Sequence, residues 1–102
     1  MEVLQFRFLR PLEIRSGHRQ LPKPPTLQSR SLLAYMVLHR DQPQSRSRLA
    51  GLFWGDRWER KGRSSLSTAL WHIRHVLPGE DPLLSDLHTV QFDSSVDVWL
   101  DV

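Results

Sequence analysis

The 102-residue chain has a formal net charge of +3, no cysteine, 39% hydrophobic and 25% charged residues, a composition typical of one globular core rather than of disorder. Without cysteine, it cannot form a disulfide framework, a thiolate zinc site or a cysteine nucleophile. No apolar run approaches the roughly 20 residues of a membrane span, and charges interrupt the N-terminal segment where a signal peptide would be apolar, so we predict a cytoplasmic protein without a membrane partner.

The first segment predicts a small antiparallel β-meander. Apolar and polar residues alternate over residues 3–8, as in a strand with one buried face. The alternation resumes at residues 12–15, and residues 19–21 follow a turn in which Gly17 supplies a positive φ. The prolines at 22, 24 and 25 end the meander, because proline cannot donate to a strand ladder.

Two helices are predicted to follow the meander. Thr26 is a suitable N-cap for the first, which ends near His39, and Ser45 is a suitable N-cap for the second, which ends at Gly55. The apolar stripes predicted to face the core are Leu27, Leu32, Leu33, Met36 and Val37 in the first helix, and Leu49, Leu52 and Phe53 in the second.

The third predicted helix is the longest, from about residue 57 to 77. Asp56 and Glu59 have the spacing of a reciprocal cap, and Gly62 inside the helix costs about 1 kcal/mol relative to alanine. Apolar residues recur at steps of three and four, which places one side of this helix in the core. These residues are Leu66, Ala69, Leu70, Ile73, Val76 and Leu77.

A β-hairpin is predicted after the helices. Residues 83–85 and 90–92 have strand character and flank a four-residue tip at residues 86–89. The order of strands, three helices and hairpin is an α+β arrangement typical of a winged helix-turn-helix, in which the third helix enters the DNA major groove and the hairpin lies beside it as a wing. We assign residues 1–95 to this domain.

Basic and acidic residues are unevenly distributed along the chain. All 14 Lys and Arg lie in residues 1–79, whereas residues 80–102 hold acidic residues and neither Lys nor Arg. A basic body predicts a polyanionic partner, and the alternative is a surface that is merely well solvated.

The outer face of the third helix is predicted to be polar and cationic. At about 100° per residue, the side opposite Leu66 carries Arg60, Lys61, Ser64, Ser67, Thr68, Trp71 and His75, with Arg63, His72 and Arg74 on its flanks. Arg and Lys neutralise phosphates or bond guanine, and short hydroxyls bond phosphates or bases. Trp71 either packs on sugar or thymine methyl groups or lies under the wing as satellite core.

These side chains are assigned to double-stranded DNA as follows. Groove contacts are predicted for Arg60, Ser64, Ser67, Thr68, Trp71 and His75. Phosphate contacts are predicted for Lys61, Arg63, Arg74 and Arg30, and contacts beside the minor groove for His88 and Thr89. Ser45 and Thr26, at helix N-termini, are predicted to present backbone amides to phosphate.

Other chemistry has little support in the sequence. His72 and His75 would share a metal ion only with a third ligand, and none has suitable spacing nearby, so no metal site is predicted. There is no nucleophile elbow, phosphate-binding loop or zinc-protease motif, and we therefore expect no cofactor and no enzymatic activity. The alternative to DNA binding is a winged-helix protein-protein interaction module with Trp71 and Trp54 as hydrophobic anchors.

Four segments resemble the DNA-binding domain of the Streptomyces antibiotic regulatory proteins and of large activators with the same architecture. They are SLLAY (31–35), SR…LAGLFWGD (45–56), RSSLSTALWHIR (63–74) and DVW (97–99). The resemblance covers nearly the whole chain and implies a response-regulator-type winged helix that binds promoter direct repeats. It further implies two or more copies, such as a homodimer on DNA, and RNA polymerase recruitment through residues 54–58. Residues 96–102 are then expected to be a linker or the start of a truncated activator domain.

Overall fold

A computed structural model of the chain describes residues 3–7, 12–17, 19–55, 59–77 and 81–101. The described residues form an α+β fold of three helices and seven short strands. The helices are α1 (Leu27–Leu38), α2 (Arg46–Trp54) and α3 (Glu59–Val76). The strands are β1 (Leu4–Arg7), β2 (Glu13–Ser16), β3 (Arg19–Gln20), β4 (Gln44–Ser45), β5 (Leu83–Ser85), β6 (Thr89–Phe92) and β7 (Val98–Asp101).

The N-terminal strands pair as predicted, but the prediction of a simple meander is wrong. β1 pairs with β2 and β2 pairs with β3, both antiparallel. Gly17, between β2 and β3, has a φ of 60°, in the region that favours glycine. A fourth strand, β7, pairs in parallel with the other edge of β1, so the strand order is β3-β2-β1-β7.

The C-terminal strand also corrects the boundary predicted at residue 95. The Leu4 amide donates to the Asp97 carbonyl at 3.0 Å, and Leu4 lies opposite Val98. Val98 and Leu100 pack against the core from the same strand. Residues 98–101 are therefore part of the N-terminal sheet, because their apolar side chains complete the core that β1 begins.

The caps predicted for the first two helices are confirmed. The Ser29 amide donates to Thr26 Oγ1 at 3.0 Å and the Thr26 amide to Ser29 Oγ at 3.1 Å, which is a capping box. The Arg48 amide donates to Ser45 Oγ at 3.2 Å, and Gly55 is the C-cap of α2.

Two leucines predicted to face the core are exposed instead. Leu27 is 74% and Leu52 is 56% exposed. At about 100° per residue, Leu27 lies roughly 140° around α1 from the buried Leu32, and Leu52 lies on the side of α2 opposite Ala50. Leu27 therefore points away from the buried side of α1, and Leu52 is exposed because the buried side of α2 runs through Leu49, Ala50 and Trp54 rather than through Leu49, Leu52 and Phe53.

The core lies between α3, the other helices and the two sheets. The inner face predicted for α3 is confirmed, since Leu66, Leu70 and Ile73 are each at most 1% exposed. The predicted hairpin is present as β5–β6, and β4, which the sequence analysis missed, pairs with β6 to make a second sheet in the order β4-β6-β5. Phe92 of β6 meets Phe6 of β1 edge-to-face at 6.1 Å between ring centroids. This fold holds the outer face of α3 beside the hairpin.

Replacing Gly62 with alanine is expected to stabilise the domain by up to about 1 kcal/mol, which would raise the melting temperature by roughly 4–8 °C. Gly62 is buried in α3 against α2, and a Cβ there would lie 3.8 Å from the Ala50 side chain, an ordinary van der Waals distance. Thermal unfolding followed by circular dichroism measures the change.

Gly51→Ala is the matched control, because Gly51 lies in α2 with nothing within 4 Å of its added Cβ and reports helix propensity alone. A lower melting temperature for Gly62→Ala than for the unmodified chain would contradict the expected fit between α2 and α3.

Candidate nucleic-acid interface

A groove of about 690 Å³ lies between the N-terminus of α2, one side of α3 and the β5–β6 hairpin. The cations that line it are Arg46, Arg63 and Arg74, and the hydroxyls are Ser45, Ser47, Ser67 and Ser85. The hairpin tip contributes one carboxylate, that of Asp86. The groove therefore combines positive charge with several hydrogen-bond donors, a combination suited to an anionic ligand.

The outer face of α3 borders this groove and is open to solvent. Its exposed residues are Arg60, Lys61, Arg63, Ser64, Ser67, Thr68, Trp71 and His75, whereas His72 and Arg74 are half-buried. No acidic residue occurs between positions 60 and 77. From Arg60 onwards, the exposed side of α3 is therefore uniformly neutral or cationic.

Trp71 is exposed on this face rather than packed as core under the hairpin. Its side chain is 54% exposed. The indole stacks on the His75 ring at 3.8 Å between centroids and meets the edge of the His72 ring at 5.2 Å. The structure thus argues against the satellite core, and the contact of Trp71 with sugar or thymine methyl groups stays a prediction.

Arg74 has intramolecular partners instead of the free guanidinium predicted for a phosphate contact. Its Nε donates to Asp81 Oδ2 at 2.8 Å and its Nη2 to Ser85 Oγ at 2.9 Å. Asp81 Oδ1 in turn accepts from the Leu83 amide at 2.9 Å. Arg74 therefore fastens α3 to β5 and positions the hairpin, a role that its position on the flank of α3 did not reveal.

Of the predicted residues outside α3, the structure brings Ser45 to the groove and leaves Arg30 away from it. The Arg30 Nε donates to the Pro24 carbonyl at 2.8 Å, which ties α1 to the segment before it. Ser45 caps α2 and lies 3.1 Å from the Ser47 hydroxyl, at the groove wall. Thr26 is occupied by the α1 capping box and lines a separate recess with Thr68.

The hairpin tip is held in shape by Asp86. Its Oδ1 accepts from the backbone amides of His88 and Thr89, both at 2.8 Å. These two hydrogen bonds stabilise the carboxylate and lower the pKa of Asp86 below its ordinary value, and the bond from the His88 amide has the larger effect. The carboxylate is therefore ionised at neutral pH. Of the two residues predicted to probe beside the minor groove, His88 thus lies in the turn that Asp86 holds and Thr89 is the first residue of β6.

The groove also contains a residue that the sequence analysis missed, Arg46. Its backbone amide donates to the His88 carbonyl at 2.8 Å, and its Nη2 donates to Ser67 Oγ at 3.3 Å. Arg46 thereby links the N-terminus of α2 to both the hairpin tip and α3. The sequence feature that could have identified Arg46 is its position directly after the N-cap Ser45, at the start of α2, the helix that precedes α3.

Trp54 is not a surface anchor. It is the last residue of α2, is only 6% exposed, and lies 6.0 Å from Phe53 between ring centroids. The prediction that Trp54 anchors a protein partner is therefore wrong. Residues 56–58 of the segment predicted to contact RNA polymerase, which include the predicted cap residue Asp56, lie outside the described residues.

None of the helices in the described ranges combines the length and the apolar character that a transmembrane segment requires. Across the same ranges, no three His, Asp or Glu side chains are grouped so that they could hold a metal ion. Comparisons with protein-family models, with curated proteins and with solved structures each find no match to this chain.

Proposed function

We propose that this chain is a winged helix-turn-helix domain that binds double-stranded DNA sequence-specifically as part of a bacterial transcriptional activator. In this proposal α2 and α3 are the helix-turn-helix, α3 enters the major groove, and the β5–β6 hairpin is the wing. The observation that carries it is the exposed outer face of α3, which is free of acidic residues from 60 to 77 and borders a cationic groove.

The major groove accepts one α-helix, whose side chains then reach base edges. Arg60 and Lys61 are exposed near the start of α3, followed by the hydroxyls of Ser64 and Thr68 and by the Trp71 indole. Guanidinium groups bond guanine, hydroxyls bond either phosphates or bases, and an apolar ring contacts thymine methyl groups. The mixture thus supports base recognition as well as charge neutralisation.

The groove between α3 and the hairpin suits the passage of one sugar-phosphate strand. Arg63 is exposed there and its guanidinium has no hydrogen bond or ion pair to any described residue, so it is available to a phosphate. Arg46 and the Ser47 hydroxyl lie on the opposite wall, where the N-terminus of α2 favours negative charge. We assign phosphate neutralisation to Arg63 and Arg46.

The salt dependence of duplex binding tests the proposal. Because neutralising a phosphate releases counterions, log affinity should fall linearly with log salt, by roughly 0.9 per phosphate contact. Arg63→Ala should weaken binding to all duplexes alike and reduce the slope by about one unit. Fluorescence anisotropy with a random-sequence duplex at several salt concentrations measures both quantities.

Arg7→Ala is the matched control for this experiment, since Arg7 is exposed in β1 and pairs only loosely with Glu13, at 3.8 Å. Arg7→Ala removes the same charge at a residue that does not line the groove, and it should leave the salt slope unchanged. Binding without any salt slope, or equal slopes for Arg63→Ala and the unmodified chain, would contradict the proposal.

A protein-interaction module is the second candidate, favoured by the large exposed indole of Trp71. Such an interface would depend on Trp71 and show little dependence on salt, because apolar burial rather than counterion release would drive it. Binding to promoter direct repeats as two or more copies, and recruitment of RNA polymerase, belong to the DNA proposal. Selection of bound duplexes from a random pool would reveal whether the preferred site is repeated.

A further inference from the structure

The His75 ring on the outer face of α3 is held in one orientation by two contacts. Its Nδ1 lies 2.8 Å from the Trp71 backbone carbonyl oxygen. Its plane stacks on the Trp71 indole, with 3.8 Å between centroids and 28° between the planes. The side chain is nevertheless exposed. The imidazole is therefore oriented by its own helix and still accessible to a ligand.

The hydrogen bond to Trp71 also determines which ring nitrogen carries the proton. A carbonyl oxygen only accepts, so Nδ1 must donate in the neutral ring as well as in the cation. The neutral ring then leaves a lone pair on Nε2, and no described residue bonds to that nitrogen. When its ring is neutral, His75 therefore presents Nε2 to solvent as a hydrogen-bond acceptor. The other polar side chains on this face of α3 are donors or hydroxyls.

We propose that His75 is a specificity-determining residue whose Nε2 accepts a hydrogen bond from the exocyclic amino group of a base in the major groove. This inference rests on the proposed DNA binding. Cytosine N4 and adenine N6 are the amino donors on that edge, whereas guanine and thymine present acceptors there. His75 therefore favours an amino-bearing base at one strand position and disfavours guanine and thymine at the same position.

Protonation of the ring reverses this preference. A proton on Nε2 turns the acceptor into a donor, which suits guanine O6 or N7, thymine O4 or a phosphate oxygen. The charged or titratable groups that face His75 in the described chain are His72, across Trp71 on α3, and Arg19 of β3, which lines a recess with His75. Neither is a carboxylate, so neither forms an ion pair with the protonated ring.

The tautomer can be tested on the free domain. The ¹⁵N chemical shifts of the His75 ring nitrogens, assigned by comparison with His75→Phe, report which nitrogen is protonated. We expect the proton on Nδ1 and a bare Nε2 at a pH where the ring is neutral. A proton on Nε2 in the neutral ring would overturn the proposal without bearing on whether the domain binds DNA.

The base contact can be tested on the duplex selected from a random pool. Each adenine in turn is replaced by purine and each cytosine by 2-pyrimidinone, which lack the exocyclic amino group. We expect one position at which this deletion weakens binding by about 5-fold or more, and we expect His75→Phe to abolish that sensitivity. His72→Phe is the matched control and should keep it.

The outcomes separate the two proposals. If duplexes bind with a salt slope but His75→Phe retains every base preference, the His75 assignment is wrong and DNA binding stands. If the domain binds no duplex, both proposals fall, whatever the tautomer.

Discussion

Thr68→Glu is expected to reduce affinity for every duplex by about 100-fold or more while leaving the domain folded. Thr68 is exposed on the outer face of α3, on the side that we place in the major groove. A carboxylate there would face bases and phosphates, and like-charge juxtaposition in an interface costs several kcal/mol, at about 1.4 kcal/mol for each tenfold loss. Glutamate is a better helix former than threonine, so α3 itself should not be weakened.

Two variants separate charge placement from other effects. Thr68→Gln introduces a side chain of nearly the same shape as glutamate but without its charge. It should therefore lose much less affinity for duplexes than Thr68→Glu. Ser31→Glu adds the same charge at an exposed position of α1 and should behave like the unmodified chain in an anisotropy titration. Equal losses for Thr68→Glu and Ser31→Glu would show that net charge, not this face of α3, governs binding.

Phe92→Ala is expected to destabilise the fold by about 3–5 kcal/mol and to lower the melting temperature by about 12 °C or more. Phe92 is 1% exposed, and its ring meets the edge of Phe6, which is fully buried. The pair joins the β5–β6 hairpin to the N-terminal sheet, so alanine would leave a cavity at the junction. Urea unfolding followed by tryptophan fluorescence and circular dichroism measures the loss.

Leu87→Ala in the same hairpin is the comparison, because Leu87 is 89% exposed and its truncation opens no cavity. It should change the free energy of unfolding by no more than about 0.5 kcal/mol. A Phe92→Ala variant as stable as Leu87→Ala would mean that the hairpin does not depend on the Phe6–Phe92 contact.

Local sequence patterns were sufficient for the helices and for the face that α3 exposes. Thr26 and Ser45 cap the helices that their positions predicted, since a capping hydroxyl bonds an amide only two or three residues away. The spacing of Leu66, Leu70 and Ile73 separated the inner side of α3 from the outer side, because helical periodicity depends on the backbone alone. The same arithmetic, applied strictly, would have removed Leu27 from the predicted core, whereas Leu52 follows Leu49 at a helical step of three and only the packed chain shows it to be exposed.

What the tertiary structure alone decided depends on residues that are distant in the sequence. β7 pairs with β1, at the other end of the chain, and the Arg74 guanidinium bonds to Asp81 and Ser85. Arg46 reaches the groove only because α2 packs against α3 beside the hairpin. The sequence by itself therefore determined the helices, the first three strands, the hairpin and the polarity of α3, whose causes are local. The partners of each strand and cation required the packed chain, since long-range pairing follows from how the elements share one core.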